Sequence, residues 1–180
     1  MTETEYEGKK ILIVIAQEQF RDEECFVPKQ IFEAAGVKVT VAAEATKTAK
    51  GMLGGTTKPD IKISDARVDD YDAIVITGGS GSRKYLWDNK ALQKLLKEAD
   101  AQKKVISAIC ISPVVLARTG ILKGKESTVF KSPDTVSELK EHGAVYLDRE
   151  VVISGRVVTG RDPASAEAFG KAILEALKKA

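Results

Sequence analysis

A mostly parallel β-sheet covered by helices on both faces is the architecture this 180-residue chain predicts, as one domain over residues 1–180. Three observations carry that expectation. Short unbroken apolar runs, such as Ile11-Leu12-Ile13-Val14-Ile15, read as strands buried on both faces, where no polar alternation is needed. These runs alternate with longer segments of helical period, and strand–helix–strand order implies parallel pairing with helical crossovers. No repeat, low-complexity tract or linker interrupts the pattern. A chain this long buries roughly 70% of its unfolded surface.

The elements follow in order. After the first strand, a helix is expected from about Asp22, with Cys25, Phe26, Ile31, Phe32 and Ala35 facing inward and Gly36 ending it. Val37 to Ala42 reads as the second strand. Residues 45–64 are rich in Gly, Thr and Lys, and Gly54-Gly55 marks the turn of a small hairpin. Asp72 to Ile76 is a buried strand closing at Gly78-Gly79, and residues 89–102 form an amphipathic helix on Leu92, Leu95 and Leu96. Val105 to Ile109 is another buried strand, with a helix starting immediately after Cys110. Thr128-Val129-Phe130, a helix near Pro133–His142, strands near Val151–Ile153 and Val157–Thr159, and a helix from Ala164 to Lys178 complete the chain. Residues 1–8 are expected as a flexible tail.

Composition narrows the function classes. Net charge is +2 with the charges interspersed, so no basic face for nucleic acid is expected. No apolar run reaches the roughly 18–20 residues that span a bilayer, and Met1 to Lys10 is polar and acidic, unlike a secretory signal. A cytoplasmic protein with free thiols is expected, because two cysteines, Cys25 and Cys110, make neither a disulfide framework nor a metal motif. One histidine, His142, leaves no zinc site; it reads as a solvated residue at a helix C-terminus, and no metal or cofactor is expected.

Parallel sheets place their sites at the carboxyl ends of the strands, and three such ends carry reactive residue types. Ser107-Ala108-Ile109-Cys110-Ile111-Ser112-Pro113 joins a buried strand directly to a helix. A nucleophile on so sharp a turn crowds the residues two positions away, and Ala108 and Ser112 are both small. Pro113 suits a first helical turn. A helix start also favours thiolate over thiol at Cys110, although most free cysteines are simply small buried hydrophobes. Gly78-Gly79 ends the preceding strand at the same edge, where bare N–H groups can approach a bound oxygen. Phe20-Arg21-Asp22-Glu23-Glu24 opens the first helix, with Asp22 as its cap. Pro28 cannot return a hydrogen bond to the Glu24 carbonyl, so a kink is expected that turns Glu24 inward.

These motifs resemble the ThiJ/PfpI superfamily, which includes the parkinsonism-associated protein deglycase and PfpI-type intracellular peptidases. The resemblance runs from Lys9 to about Leu177. It rests on Ala108-Ile109-Cys110-Ile111-Ser112-Pro113, on Phe20, Asp22, Glu24 and Pro28, on Gly78-Gly79, and on Val158-Thr159-Gly160-Arg161-Asp162-Pro163. It implies a flavodoxin-like, class I glutamine amidotransferase-like fold, with Cys110 as nucleophile and Glu24 as its acid partner. The N–H groups of Gly79 and Cys110 would cradle an oxyanion, and Gly78, Ile111 and Arg161 would border the pocket. It further implies a small-molecule carbonyl substrate of the methylglyoxal kind, glyoxalase or deglycase chemistry in stress protection, and a homo-oligomer, dimer or higher. Two departures count against the peptidase alternative: Ile111 stands where those enzymes carry His, and Arg83 aligns with the acid they borrow from a neighbouring subunit. A non-catalytic redox-sensing or chaperone-like stress protein is the rival from another class.

Overall fold

The computed structural model describes residues 3–180. Seven strands form the central sheet: β1 Lys10–Val14, β2 Lys38–Ala43, β3 Ile61–Lys62, β4 Ala73–Ile76, β5 Val105–Ile109, β6 Val151–Ser154 and β7 Val157–Gly160. Their spatial order is β6-β7-β5-β4-β1-β2-β3. Every neighbouring pair is parallel except β6 with β7, a two-strand turnback at the edge. The chain grows outward from β1 through β2 and β3, then returns to lay β4 on the other flank of β1. That reversal opens a crevice at the carboxyl ends of β1 and β4, where such sheets bind ligands.

Burial explains the strands. Ile11 to Val14, Ala73 to Ile76 and Val105 to Ile109 are each wholly buried, apart from water on both faces. The described residues form six helices, α1 Asp22–Ala34, α2 Ser82–Tyr85, α3 Lys90–Ala101, α4 Pro113–Arg118, α5 Pro133–Glu141 and α6 Ala166–Lys179, of which α1, α3, α4 and α6 pack on the sheet. On α3, Leu92, Leu95 and Leu96 face the core as their spacing predicts, and the Asn89 side chain caps it by accepting from the Leu92 N–H at 2.9 Å. α1 and α6 approach closely at Gly170, where an added Cβ would lie 3.1 Å from Ile31 Cδ1 and 3.3 Å from Pro28 Cα.

The hairpin expected within 45–64 is present. Ala49–Gly51 pairs antiparallel with Thr56–Thr57, and Glu18–Phe20 joins Ala49–Gly51 in parallel as a third strand. Three expectations are corrected. The short strand near residue 128 is Glu126–Ser127, paired with Val145–Tyr146, because Thr128 instead donates its N–H to Thr159 Oγ1 at 2.9 Å. The helix after Cys110 begins only at Pro113, since residues 110–112 form the turn. The tail expected over 1–8 is tied down at Tyr6, whose ring is buried and whose hydroxyl donates to the Leu174 carbonyl at 3.1 Å. One aromatic ring is enough to anchor an otherwise polar segment; Met1 and Thr2 lie outside the described residues. No helix among those residues is long and apolar enough to cross a membrane.

Candidate active site

Cys110 sits on a left-handed backbone, φ +66°, a conformation that costs free energy in a residue with a Cβ. Its surroundings hold it there. The Cys110 N–H donates to the Gly160 carbonyl at 3.0 Å, and its own carbonyl accepts from Phe130 N–H at 2.7 Å. Below the turn, Ser112 Oγ reaches the Thr77 carbonyl and lies 2.8 Å from Ser82 Oγ, so the buried serine ties the turn to the end of β4. Trp87 Nε1 donates to the Ile111 carbonyl at 3.1 Å. The small residue at 112 therefore fits the crowded turn and also supplies a hydroxyl that fastens it.

The glycine pair has a steric reason. Gly79 has φ +98°, and an added Cβ would overlap the backbone of Gln19 and Arg21, so only glycine lets the two loops meet. At Gly78 a Cβ would lie 2.7 Å from Glu24 Oε1 and 2.8 Å from Cys110 Cβ. The space that Gly78 leaves bare is where acid and thiol converge. The Gly78 N–H donates to Glu24 Oε1 at 2.8 Å, across 54 residues of sequence.

Glu24 points inward as expected and is fully buried in the first turn of α1, which runs unbroken through Pro28. Asp22 does not cap that helix; Arg21 holds the N-cap position without a side-chain bond. The Asp22 carboxylate instead accepts from Leu53 N–H at 2.9 Å and Gly55 N–H at 2.7 Å, which fastens the hairpin loop over the site. Asp22→Ala strands both amides, and the expected loss is about 2 kcal/mol, since bonds to a charged acceptor carry that order. Urea unfolding of the two proteins measures it, with faster proteolysis inside residues 52–55 as the local sign.

Burial pushes the Glu24 carboxyl up to about 7, against the pull of the Gly78 amide and the hydrogen bond with Cys110. The Cys110 thiol is raised first by burial, then by the charge of Glu24 and the hydrogen bond with it; the N–H groups of Ile111 and Gly79 act in the opposite sense. The two groups titrate as a pair, and one proton stays between them well above neutrality. The thiolate expected from a helix start is corrected: α4 spans only six residues and begins three positions on, burial and Glu24 keep the sulfur protonated, and the two backbone amides are the groups that pull towards the anion. Cys25 is wholly buried and raised to about 12 by that burial, an inert core thiol.

The expected donor pair is corrected in one member. The Cys110 N–H is consumed by Gly160, as the β5–β7 ladder runs on past the strand end, so the amides facing the sulfur are those of Gly79 and Ile111. An open pocket of about 290 Å³ rises above Cys110, with Ile111, Met52, Phe130 and Pro163 among its apolar walls. Arg161 does not line it. Its guanidinium is held by Asp162 at 2.9 Å and Asp148 at 3.4 Å, tying down the last loop, and Pro163 takes the place at the pocket. Gly78 lies beneath the pocket through its bond to Glu24. Met52 and Phe130 were missed by sequence reasoning, because each arrives on a loop held by distant partners. His142 caps α5, its Nδ1 2.8 Å from the Glu138 carbonyl, far in role from the thiol.

Comparison with known proteins shows the family and the fold. The family model described as the DJ-1/PfpI family matches residues 9–176. The chain is 37% identical over 172 residues to a Bacillus subtilis protein named putative cysteine protease YraA, covering 95% of this chain and 99% of that one. It is 32% identical over 170 residues to the glutathione-independent glyoxalase DJR-1.2 of Caenorhabditis elegans, covering 94% and 89%. The crystal structure of a ThiJ/PfpI domain protein from Brachyspira murdochii superposes with a TM-score of 0.91 at 34% identity, covering 96% and 99%.

Proposed function

The chain belongs to the DJ-1/PfpI family, and from that premise we propose that it acts on small reactive carbonyls, converting 2-oxoaldehydes such as methylglyoxal to 2-hydroxy acids. One observation carries the reading: a buried carboxyl and a thiol share the space above Gly78, with two backbone amides aimed at the sulfur.

In this reaction the pair reacts as thiolate and carboxylic acid, the thiol proton having passed to Glu24 Oε2, a buried oxygen with no other hydrogen-bond partner. The sulfur adds to the aldehyde carbon, and the Gly79 and Ile111 amides stabilise the oxygen as it becomes anionic. Glu24 donates its proton to that oxygen, leaving a hemithioacetal. The Glu24 carboxylate then takes the proton of the former aldehyde carbon, giving an enediolate; the hydroxyl proton on the first carbon's oxygen passes to the second oxygen, and Glu24 returns its proton to the second carbon. The result is a thioester of a 2-hydroxy acid, which water cleaves to release the acid and restore the thiol. No outside oxidant or reductant is needed.

Purified protein is expected to turn methylglyoxal into lactate, followed with D- and L-lactate dehydrogenases. Absence of lactate, with Cys110 instead converted quantitatively to sulfinic acid by mild peroxide, would replace this reading with the redox-sensing one. Peptide hydrolysis is disfavoured on physical grounds, since Ile111 adjoins the thiol and the single histidine caps α5. The same reading includes a homo-oligomer in the cytoplasm. Sedimentation of the purified protein reads out that assembly.

A further inference from the structure

Two arginines stand at the pocket above Cys110, and they are held in different ways. Arg21, Arg83 and Asp134 line it, and each guanidinium has a carboxylate partner. Arg21 is occupied by Glu23 in a two-pronged pair, Nε and Nη2 each donating at 3.0 Å. Arg83 is held differently. Its Nη1 donates to Asp134 Oδ2, and its guanidinium lies over the Trp87 ring, 4.5 Å from the centroid. Asp134 is anchored in turn by Ser132 Oγ, which donates to its other oxygen at 2.7 Å. Trp87 is itself bonded to the carbonyl of Ile111, the residue beside the nucleophile.

A guanidinium offers five N–H donors in a planar fork, and Asp134 engages one of its terminal nitrogens. A cation braced by a carboxylate on one side and an indole face on another loses little freedom on binding. Its remaining donors suit the oxygens of a carboxylate or phosphate. At 44% side-chain exposure it is open to a ligand entering the pocket.

We propose that Arg83 selects anionic substrates, 2-oxoaldehydes that carry a negatively charged group beyond the ketone carbon. The aldehyde carbon then sits at Cys110 Sγ while the charged end rests on Arg83. This selection rests on the carbonyl chemistry of the preceding section. The overall conversion is R–CO–CHO plus water to R–CH(OH)–COOH: the aldehyde carbon is oxidised, the ketone carbon is reduced, and the anionic group is untouched.

The test compares steady-state kinetics on methylglyoxal and on 3-phosphooxy-2-oxopropanal, the same skeleton with a phosphate on its third carbon. Wild type is expected to favour the phosphate ester by about tenfold or more in kcat/KM, the order that hydrogen bonds to a charged group supply. Arg83→Gln brings the ratio of the two kcat/KM values close to one, mainly through KM for the ester. Arg83→Lys, which keeps the charge but not the fork, restores part of it, and added salt erodes the wild-type preference. A wild-type ratio near one overturns the selection while leaving the carbonyl reading intact. So does an Arg83→Gln variant that loses both substrates equally, the mark of lost packing on Trp87. If wild type converts neither substrate, the carbonyl reading itself has failed and the selection goes with it.

Discussion

Cys110→Ala is expected to lower methylglyoxal conversion by at least ~10³-fold, because it removes the atom that forms the covalent intermediate and leaves only binding and the two amides. The fold should survive. Alanine keeps the Cβ that the left-handed turn already tolerates, and the backbone bonds to Gly160 and Phe130 do not involve the sulfur. Lactate production and thermal unfolding, measured on the same preparation, separate the two effects. Unchanged turnover would mean that the chemistry lies elsewhere. A collapse in thermal stability would mean that the thiol is a packing atom after all.

Glu24→Gln is the second large effect. The amide keeps an oxygen for the Gly78 N–H but cannot exchange a proton, so activity is expected to fall about 10²- to 10⁴-fold, the usual contribution of a positioned acid–base group. Its pH behaviour is equally specific. In the native protein the pair loses its first proton near the Glu24 value of about 7, so wild-type activity rises as the pH climbs through that region, and this limb is absent in the variant. Stability moves oppositely. A carboxyl raised from its ordinary 4.5 to about 7 leaves the native state holding more protons than the unfolded chain between those values. The stability it contributes is whole below the unfolded value and is lost as pH rises through the folded one, on the order of 3 kcal/mol for a shift of this size. Denaturant midpoints from pH 4 to 8 should therefore fall for wild type and run flatter for Glu24→Gln. Parallel slopes would show that Glu24 is charged throughout and cannot be the proton donor.

Much of this site was readable along the chain. A helix, a strand or a sharp turn is set by neighbours within a few residues, so the apolar runs, the helix of residues 90–101 and the small residues flanking Cys110 announced themselves. Pro113 marked a helix start, and Gly78-Gly79 marked the end of a strand. The inward turn of Glu24 was also anticipated, although the reason assigned to it, a kink at Pro28, is not needed in a helix that runs unbroken.

Contacts between distant segments were the part that no local pattern encodes. Asp22 looked like a cap because acidic residues at helix starts usually are; two amides 31 and 33 residues away claimed its oxygens instead. The Cys110 amide looked available until β7 took its place beside β5 and accepted that hydrogen. Tyr6 hid in a polar segment, and Arg161 gave its charge to the loop rather than to the pocket. Backbone preference is a property of a few adjacent residues, and for that reason it can be read in order. Which donor meets which acceptor depends on the register of remote strands and on the competition of every nearby partner, and that is settled only when the whole sheet has closed.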